Sequence, residues 1–330
     1  MTPNFENQQI RTIPIPSASQ MLIAQQLGGS QSSPGFHSSI TAPESRLNPS
    51  RHMKDLTPHF KFLALATFVA YRALCNLETP VACLLVDKRT GKILSYGCND
   101  TNASLNGTRH AEFVAIDRVL EENHLVGASL ENISKFFSGV ALYVTVEPCV
   151  MCASALQQLG IGEVFFGAAN DRFGGNGSVI KVQQSSIPNY YASFGGIMRT
   201  EAVYLLRCFY IQENESAPVP KIKKNKDIEG KSFPPNIPFD QFLTETEFVT
   251  LYGSERLRLF FPGPAEDIEM SPLIGKGYRF HELVDAQAIL SIPHVKNLYP
   301  KGDITVEEDI QALDRLLPFI DDDGKVRWNV

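Results

Sequence analysis

Phe60, Leu63, Ala64, Phe68 and Tyr71 recur every three or four residues, the spacing that gathers apolar side chains on one face of a helix. Thr57 and Pro58 stand just ahead of them as N-cap and first-turn proline, so the pattern predicts a helix from there to about Asn76. Val81 to Val86 is a short continuous apolar run, read as a buried strand. The polar stretch Asp87 to Lys92 predicts a turn, and Ile93 to Tyr96 its hairpin partner. A polar loop from Gly97 to Arg109 leads into His110, after which Phe113, Ile116, Asp117 and Leu120 return to helical spacing. Val140 to Val146 predicts a third strand, Pro148 opens a second helix, and Val164 to Phe166 predicts a fourth strand. A Gly-rich loop, Asn170 to Ser178, precedes an apolar helix over 197–212. The order α-β-β-α-β-α-β implies a mixed sheet with helices on both faces, an α/β fold.

Outside this span the periodicity fails. Residues 1–52 are rich in Ser, Gln, Pro and Asn with isolated apolar residues, a composition that cannot offset the entropy of ordering. A disordered N-terminal extension is expected there. The ordered unit is expected over 53–213, a basic linker over 214–235, and a C-terminal extension of unassigned role over 236–330. The apolar run within Phe60 to Leu74 is interrupted by Lys61 and Arg72 and is too short to span a bilayer, so no membrane segment is expected.

Composition changes this picture little. A chain of 330 residues, 43% hydrophobic and 20% charged, suits a soluble globular protein, and a net charge of −6 requires any nucleic-acid partner to meet a local basic patch. Six cysteines without a dense framework or secretory signal point to a reducing compartment, cytoplasm and nucleus.

The chemistry concentrates in His110-Ala111-Glu112 and Pro148-Cys149-Val150-Met151-Cys152. One imidazole and two thiols are ligand types that zinc prefers, and three protein ligands leave the open position of a catalytic ion. Both sets fall in first turns of predicted helices, where free N–H groups and the dipole favour thiolates. Cys149 and Cys152, three apart, share one helix face. A C-x-x-C alone also suits a redox pair or half a structural zinc site, and a lone histidine is commonly a core residue. Cys75, Cys83, Cys98 and Cys208 are read as small buried hydrophobes. His124, His281 and His294 lack partners at ligand spacing, and Glu147 is read as positioning rather than catalytic.

The H-x-E…P-C-x-x-C pattern is the known signature of zinc nucleobase deaminases, so the match is a recognition. From about residue 57 to 250 the chain resembles the catalytic-subunit family of eukaryotic tRNA adenosine deaminases, which convert the wobble adenosine to inosine. The stretches Glu78 to Cys83, Gly97 to Asn102, His110 to Phe113, Thr145 to Ala153, Phe166-Gly167 and Arg172 to Gly177 carry the resemblance. It implies a cytidine deaminase-like three-layer α/β/α fold, one Zn2+ on His110, Cys149 and Cys152, and a paralogous non-catalytic partner subunit that lacks the glutamate. Glu112 would move the proton of the attacking water to the base and then help ammonia leave. Asn99, eleven residues before His110, would contact the flipped nucleotide, although a hairpin-end turn residue reads the same way. Ala111 and Pro148 would border the base. Asn170 and Arg172 would meet the tRNA anticodon loop, or belong to a tight connection only. Lys221, Lys223, Lys224 and Lys226 form a basic arm for tRNA phosphates or a solvated linker. A free nucleoside or nucleobase deaminase and a non-catalytic zinc scaffold presenting tRNA are the competing readings.

Overall fold

The computed structural model describes residues 55–184, 189–212, 233–234, 236–261, 268–299 and 305–328. The N-terminal extension and the lysines from Lys221 to Lys231 lie outside the described residues. The elements in chain order are α1 (Thr57–Cys75), β1 (Ala82–Asp87), β2 (Ile93–Cys98), the short α2 (Thr101–Ser104), α3 (Ala111–Glu122), α4 (Leu130–Phe137), β3 (Val140–Val146), α5 (Val150–Leu159), β4 (Glu163–Ala168), β5 (Ala192–Phe194) and α6 (Arg199–Ile211).

The sheet order is β2-β1-β3-β4-β5, with β1 antiparallel to β2 and β3, and β3, β4 and β5 parallel. This is the mixed sheet expected from the element order. Register assigns the two faces. Ser95 and Gly97 pair with Leu85 and Cys83, and on that face the Ser95 hydroxyl donates to Ala115 O of α3 at 2.9 Å. A Cβ on Gly97 would collide with the Ala111 carbonyl and lie 2.8 Å from Ala115 N, so a glycine is what lets α3 sit this close to β2. Alternate positions Leu84, Tyr143 and Phe165 face the other way, where His59 of α1 stacks on Phe165 at 4.3 Å. The Asp87 turn forms as expected, its carboxylate accepting from the N–H groups of Arg89 (3.0 Å) and Thr90 (2.7 Å).

Several details depart from the sequence reading. Thr57 is the first helical residue, with Leu56 at the cap position, and the Asp55 carboxylate accepts its N–H at 2.8 Å. Pro148 precedes α5, and Cys149 rather than Pro148 is the N-cap. The polar loop after β2 contains α2, and α4 and β5 join the core unit. Cys75 is exposed, because it is the last residue of α1, beyond the face packed on the sheet; Cys83 and Cys208 are buried and Cys98 is partly so.

The described residues beyond α6 fold onto the same core. They form α7 (Phe239–Phe242), α8 (Glu245–Tyr252), α9 (Leu257–Phe260), α10 (Phe280–Leu283), α11 (Ala286–Leu290), α12 (Val306–Leu316) and the ribbon β6 (Phe319–Ile320) with β7 (Val326–Arg327). One continuous hydrophobic cluster runs from Leu56 to Ile320. Phe60 of α1 meets Tyr278 edge-on at 5.1 Å, and Tyr252 donates its hydroxyl to Gly195 O at 3.1 Å. Among the described residues no helix is long and apolar enough to cross a membrane.

Candidate active site

The site lies outside the carboxyl ends of β2 and β3, where open α/β sheets usually bind ligands. β2 ends at Cys98, and its continuation returns at His110, the N-cap residue of α3. Arg109 braces that return: its guanidinium meets Asp117 of α3 at 2.6 Å and Asp100 at 3.8 Å. β3 ends at Val146, and Glu147-Pro148 carries the chain to Cys149, the N-cap residue of α5, with Cys152 in its first turn.

His110, Cys149 and Cys152 are the cluster of metal-ligating type found among the described residues. His110 Nδ1 lies 3.5 Å from each sulfur. A tetrahedral zinc with bonds of about 2.0–2.1 Å to nitrogen and about 2.3 Å to sulfur sets N···S edges at about 3.5 Å, which both N···S distances here match. The electrostatics suit a cation as well. Hydrogen bonding from Cys152, then from His110, pulls the Cys149 thiol down to about 4 against the opposing effect of burial. Burial chiefly holds the Cys152 thiol up, with the neighbouring Cys149 and Glu112 pushing the same way.

Glu112, in the first turn of α3, is 3% exposed. Burial above all, then the neighbouring Cys149, raises its carboxyl to about 7. It sits beside the donor set, close enough to Cys152 to push that thiol up as well. The pocket around these groups is lined by Val81, Asn99, Gly107, Glu147, Val150, Met151, Asn170, Arg172, Phe173 and Val179.

The other candidates fall as follows. Asn99 lines the pocket and also acts locally, its Oδ1 accepting the Ala111 N–H at 3.0 Å. Ala111 and Pro148 are buried at the starts of the two ligand segments. Asn170 and Arg172 lie at the pocket's edge, Arg172 exposed. His281 and His294 each meet one distant carboxylate, Asp314 and Glu122, both at 2.9 Å, and neither joins a ligand cluster.

Sequence reasoning missed two residues. Phe173 is 65% exposed at the pocket mouth, and its position beside Arg172 in the Gly-rich loop was the available signal. Glu78 is buried, and its carboxylate accepts from Thr79 N (3.0 Å), Thr101 Oγ1 (2.9 Å) and Asn102 N (2.7 Å), tying α2 to the start of β1. No periodicity announces such a residue.

Residues 56–168 match the family described as the cytidine and deoxycytidylate deaminase zinc-binding region. The chain is 44% identical over 188 residues to the tRNA-specific adenosine deaminase subunit tad2 of Schizosaccharomyces pombe, covering 57% of this chain and 46% of that protein. It is 44% identical over 161 residues to tRNA-specific adenosine deaminase 2 of Xenopus tropicalis, covering 48% of this chain and 92% of that protein. A solved structure from a study of A-to-I editing by tRNA:A34 deaminases aligns at 27% identity with a TM-score of 0.38, over 44% of this chain and 98% of that one. A deaminase of the zinc-binding family, with a His/Cys/Cys donor set, is the class that fold, donors and family match define. The chain belongs to the tRNA-specific adenosine deaminase 2 family. It spans about half the length of the fission-yeast relative.

Proposed function

We propose that this chain is the catalytic subunit of a tRNA adenosine deaminase, converting the wobble adenosine to inosine with release of ammonia. The observation that carries the reading is the buried carboxyl of Glu112 set against three donors spaced for one zinc ion. His110 Nδ1 and the sulfurs of Cys149 and Cys152 would hold one Zn2+ per chain. When bound, the ion supplies a Lewis acid that makes water nucleophilic at neutral pH.

The residues divide the remaining work. Glu112 accepts a proton from the attacking water and delivers it to a ring nitrogen of the base, then returns a proton to the departing amine. Asn99 uses its oxygen to hold Ala111 N–H, which leaves its side-chain nitrogen to meet the flipped nucleotide. The walls at Ala111 and Pro148 exclude water around the purine. Asn170 and Arg172 stand where the flanking anticodon nucleotides would pass, and the anticodon loop presents its base already unpaired. A paralogous subunit lacking the glutamate would complete the tRNA surface, and the lysines from Lys221 to Lys226 would add phosphate contacts.

The decisive experiment is co-expression with the paralogous partner, followed by incubation with tRNA and sequencing of the anticodon loop. Conversion at the first anticodon position, absent when that base is not adenine, supports the reading. Deamination of free adenosine or cytidine without any change in tRNA would replace it with the nucleoside reading. Zinc with no activity on either would leave a scaffold.

A further inference from the structure

Glu147 links β3 to Pro148 and Cys149, and it is 2% exposed. Both carboxyl oxygens are fully engaged. Oε1 accepts the N–H groups of Asn176 (2.9 Å) and Ser178 (3.1 Å), and Oε2 accepts the Asn170 N–H (2.9 Å) and the Ser178 hydroxyl. All four donors belong to one loop, 170–178, and three of them are backbone amides. The loop wraps the carboxyl so closely that a Cβ on Gly174 would lie 2.6 Å from Glu147 Oε1. That contact explains a glycine at this position better than any turn geometry does.

The same loop is stitched to the ligand segment. Val150 N–H donates to Phe173 O, and Gly175 N–H donates to Pro148 O, each at 2.8 Å. Its outer side carries Asn170, Arg172 and Phe173 to the pocket wall. Burying a carboxyl is costly unless its bonds are satisfied, and here every one of them orders this loop.

We infer that Glu147 is a positioning residue for the polynucleotide, folding loop 170–178 into the shape that meets the nucleotides beside the reacting base. Phe173 then offers a ring on which an unpaired base can stack, and Arg172 a fork for a phosphate. Glu147 itself touches no reacting atom. This rests on the tRNA reading above.

Glu147→Gln tests it, because the replacement is nearly isosteric but turns an –NH2 toward two of the four donors. The full chain with its partner subunit is used throughout. Zinc content should remain at the wild-type level. Amide exchange at Asn170, Asn176 and Ser178 should accelerate by about tenfold or more, the measure of one lost buried bond. The apparent KM for tRNA should rise by a similar factor while kcat stays within about threefold. Glu147→Asp, which keeps two accepting oxygens, should recover part of the KM, and Ser178→Ala, a mild change with little risk to folding, should raise it less than Glu147→Gln. A fall in kcat at unchanged KM would overturn the inference by placing Glu147 in the chemistry. Loss of zinc would overturn it by making Cys149 the target, and unchanged exchange with unchanged KM would leave no positioning role. If wild-type protein does not act on tRNA, the substrate reading fails, while the exchange rates still decide whether Glu147 holds the loop.

Discussion

The sheet with its two ligand-bearing helix starts and the segment from Phe239 onward share one hydrophobic core, but they are built differently. In the first, apart from the short α2 and β5, strands of six or seven residues and helices of eight to nineteen carry the order, and polar groups gather at one rim. In the second, helices of four to eleven residues cannot hold themselves. They are fastened to the first region by buried polar cross-links. Arg199 of α6 pairs with Glu269, and Arg72 of α1 binds Asp309 at 3.1 and 3.2 Å with Tyr299 donating to the same carboxylate at 2.8 Å. Within the second region itself, Arg256 gives its guanidinium to the carbonyls of Tyr252 (2.6 Å), Ser271 and Pro272 (both 3.1 Å). None of these links reaches the donor cluster. Nearly all of the frog relative is matched by less than half of this chain, so the catalytic architecture stands there without so long an addition. Chemistry and anchorage are therefore separable, and substitutions in the two regions should fail in different ways.

The largest effect belongs to the metal donors. Cys152→Ser should drop retained zinc after dialysis from about one equivalent to below about a tenth, and activity with it, since metal binding is coupled to folding. Metal analysis with a thermal melt checks both, and a full equivalent of zinc would remove this thiol from the donor set. Glu112→Ala should keep the zinc and the melting temperature while turnover on tRNA falls by at least about a hundredfold. Zinc loss in that variant would make Glu112 a ligand.

The anchorage between the two regions should show the reverse signature. Arg199→Met leaves Glu269 buried without its partner, a change that costs roughly 3–5 kcal/mol in comparable sites. Urea unfolding should show that loss, with zinc per folded chain and kcat unchanged. A folded Arg199→Met protein unable to retain zinc would break the separation of the two regions.

How much of each region could be read from sequence follows from the same contrast. Val140–Val146 and the helix after His110 announce themselves because their periodicity spans whole elements, and the two thiols share a face through a local spacing of three. α4 escaped because it buries only Ile133 and Phe137, although Ser129 accepting the Asn132 N–H was a legible cap. β5 is three residues long, too short for any period to appear. Beyond Phe239 the helices offer one or two apolar turns each, and their cross-links to Arg72 and Arg199 join residues 70 to 237 positions apart. Glu147 is the same problem inside the site: its bonds reach 23 to 31 residues along the chain, where sequence spacing carries no information.

The smallest effect expected is also the most specific to the seam between the regions. Glu201, on α6, is 1% exposed, and its Oε2 has no hydrogen-bond partner among the described residues. Burial raises its carboxyl from the ordinary 4.5 to about 7; Glu269 pushes the same way, while the Tyr278 hydroxyl and Arg199 oppose. The folded protein therefore binds this proton more tightly than the unfolded chain does. Its contribution favours folding below about pH 4.5 and is lost as pH rises toward 7 and beyond, at most about 3 kcal/mol for such a shift. Glu201→Gln keeps the shape of the protonated acid and cannot ionise. The variant should match the wild type in urea midpoint near pH 4 and exceed it near pH 8, with the difference opening between those values. Taking the difference between the two proteins cancels every other titrating group, including those around the zinc donors. Parallel pH profiles would mean that Glu201 ionises as freely in the folded protein as in water, and that the seam admits solvent.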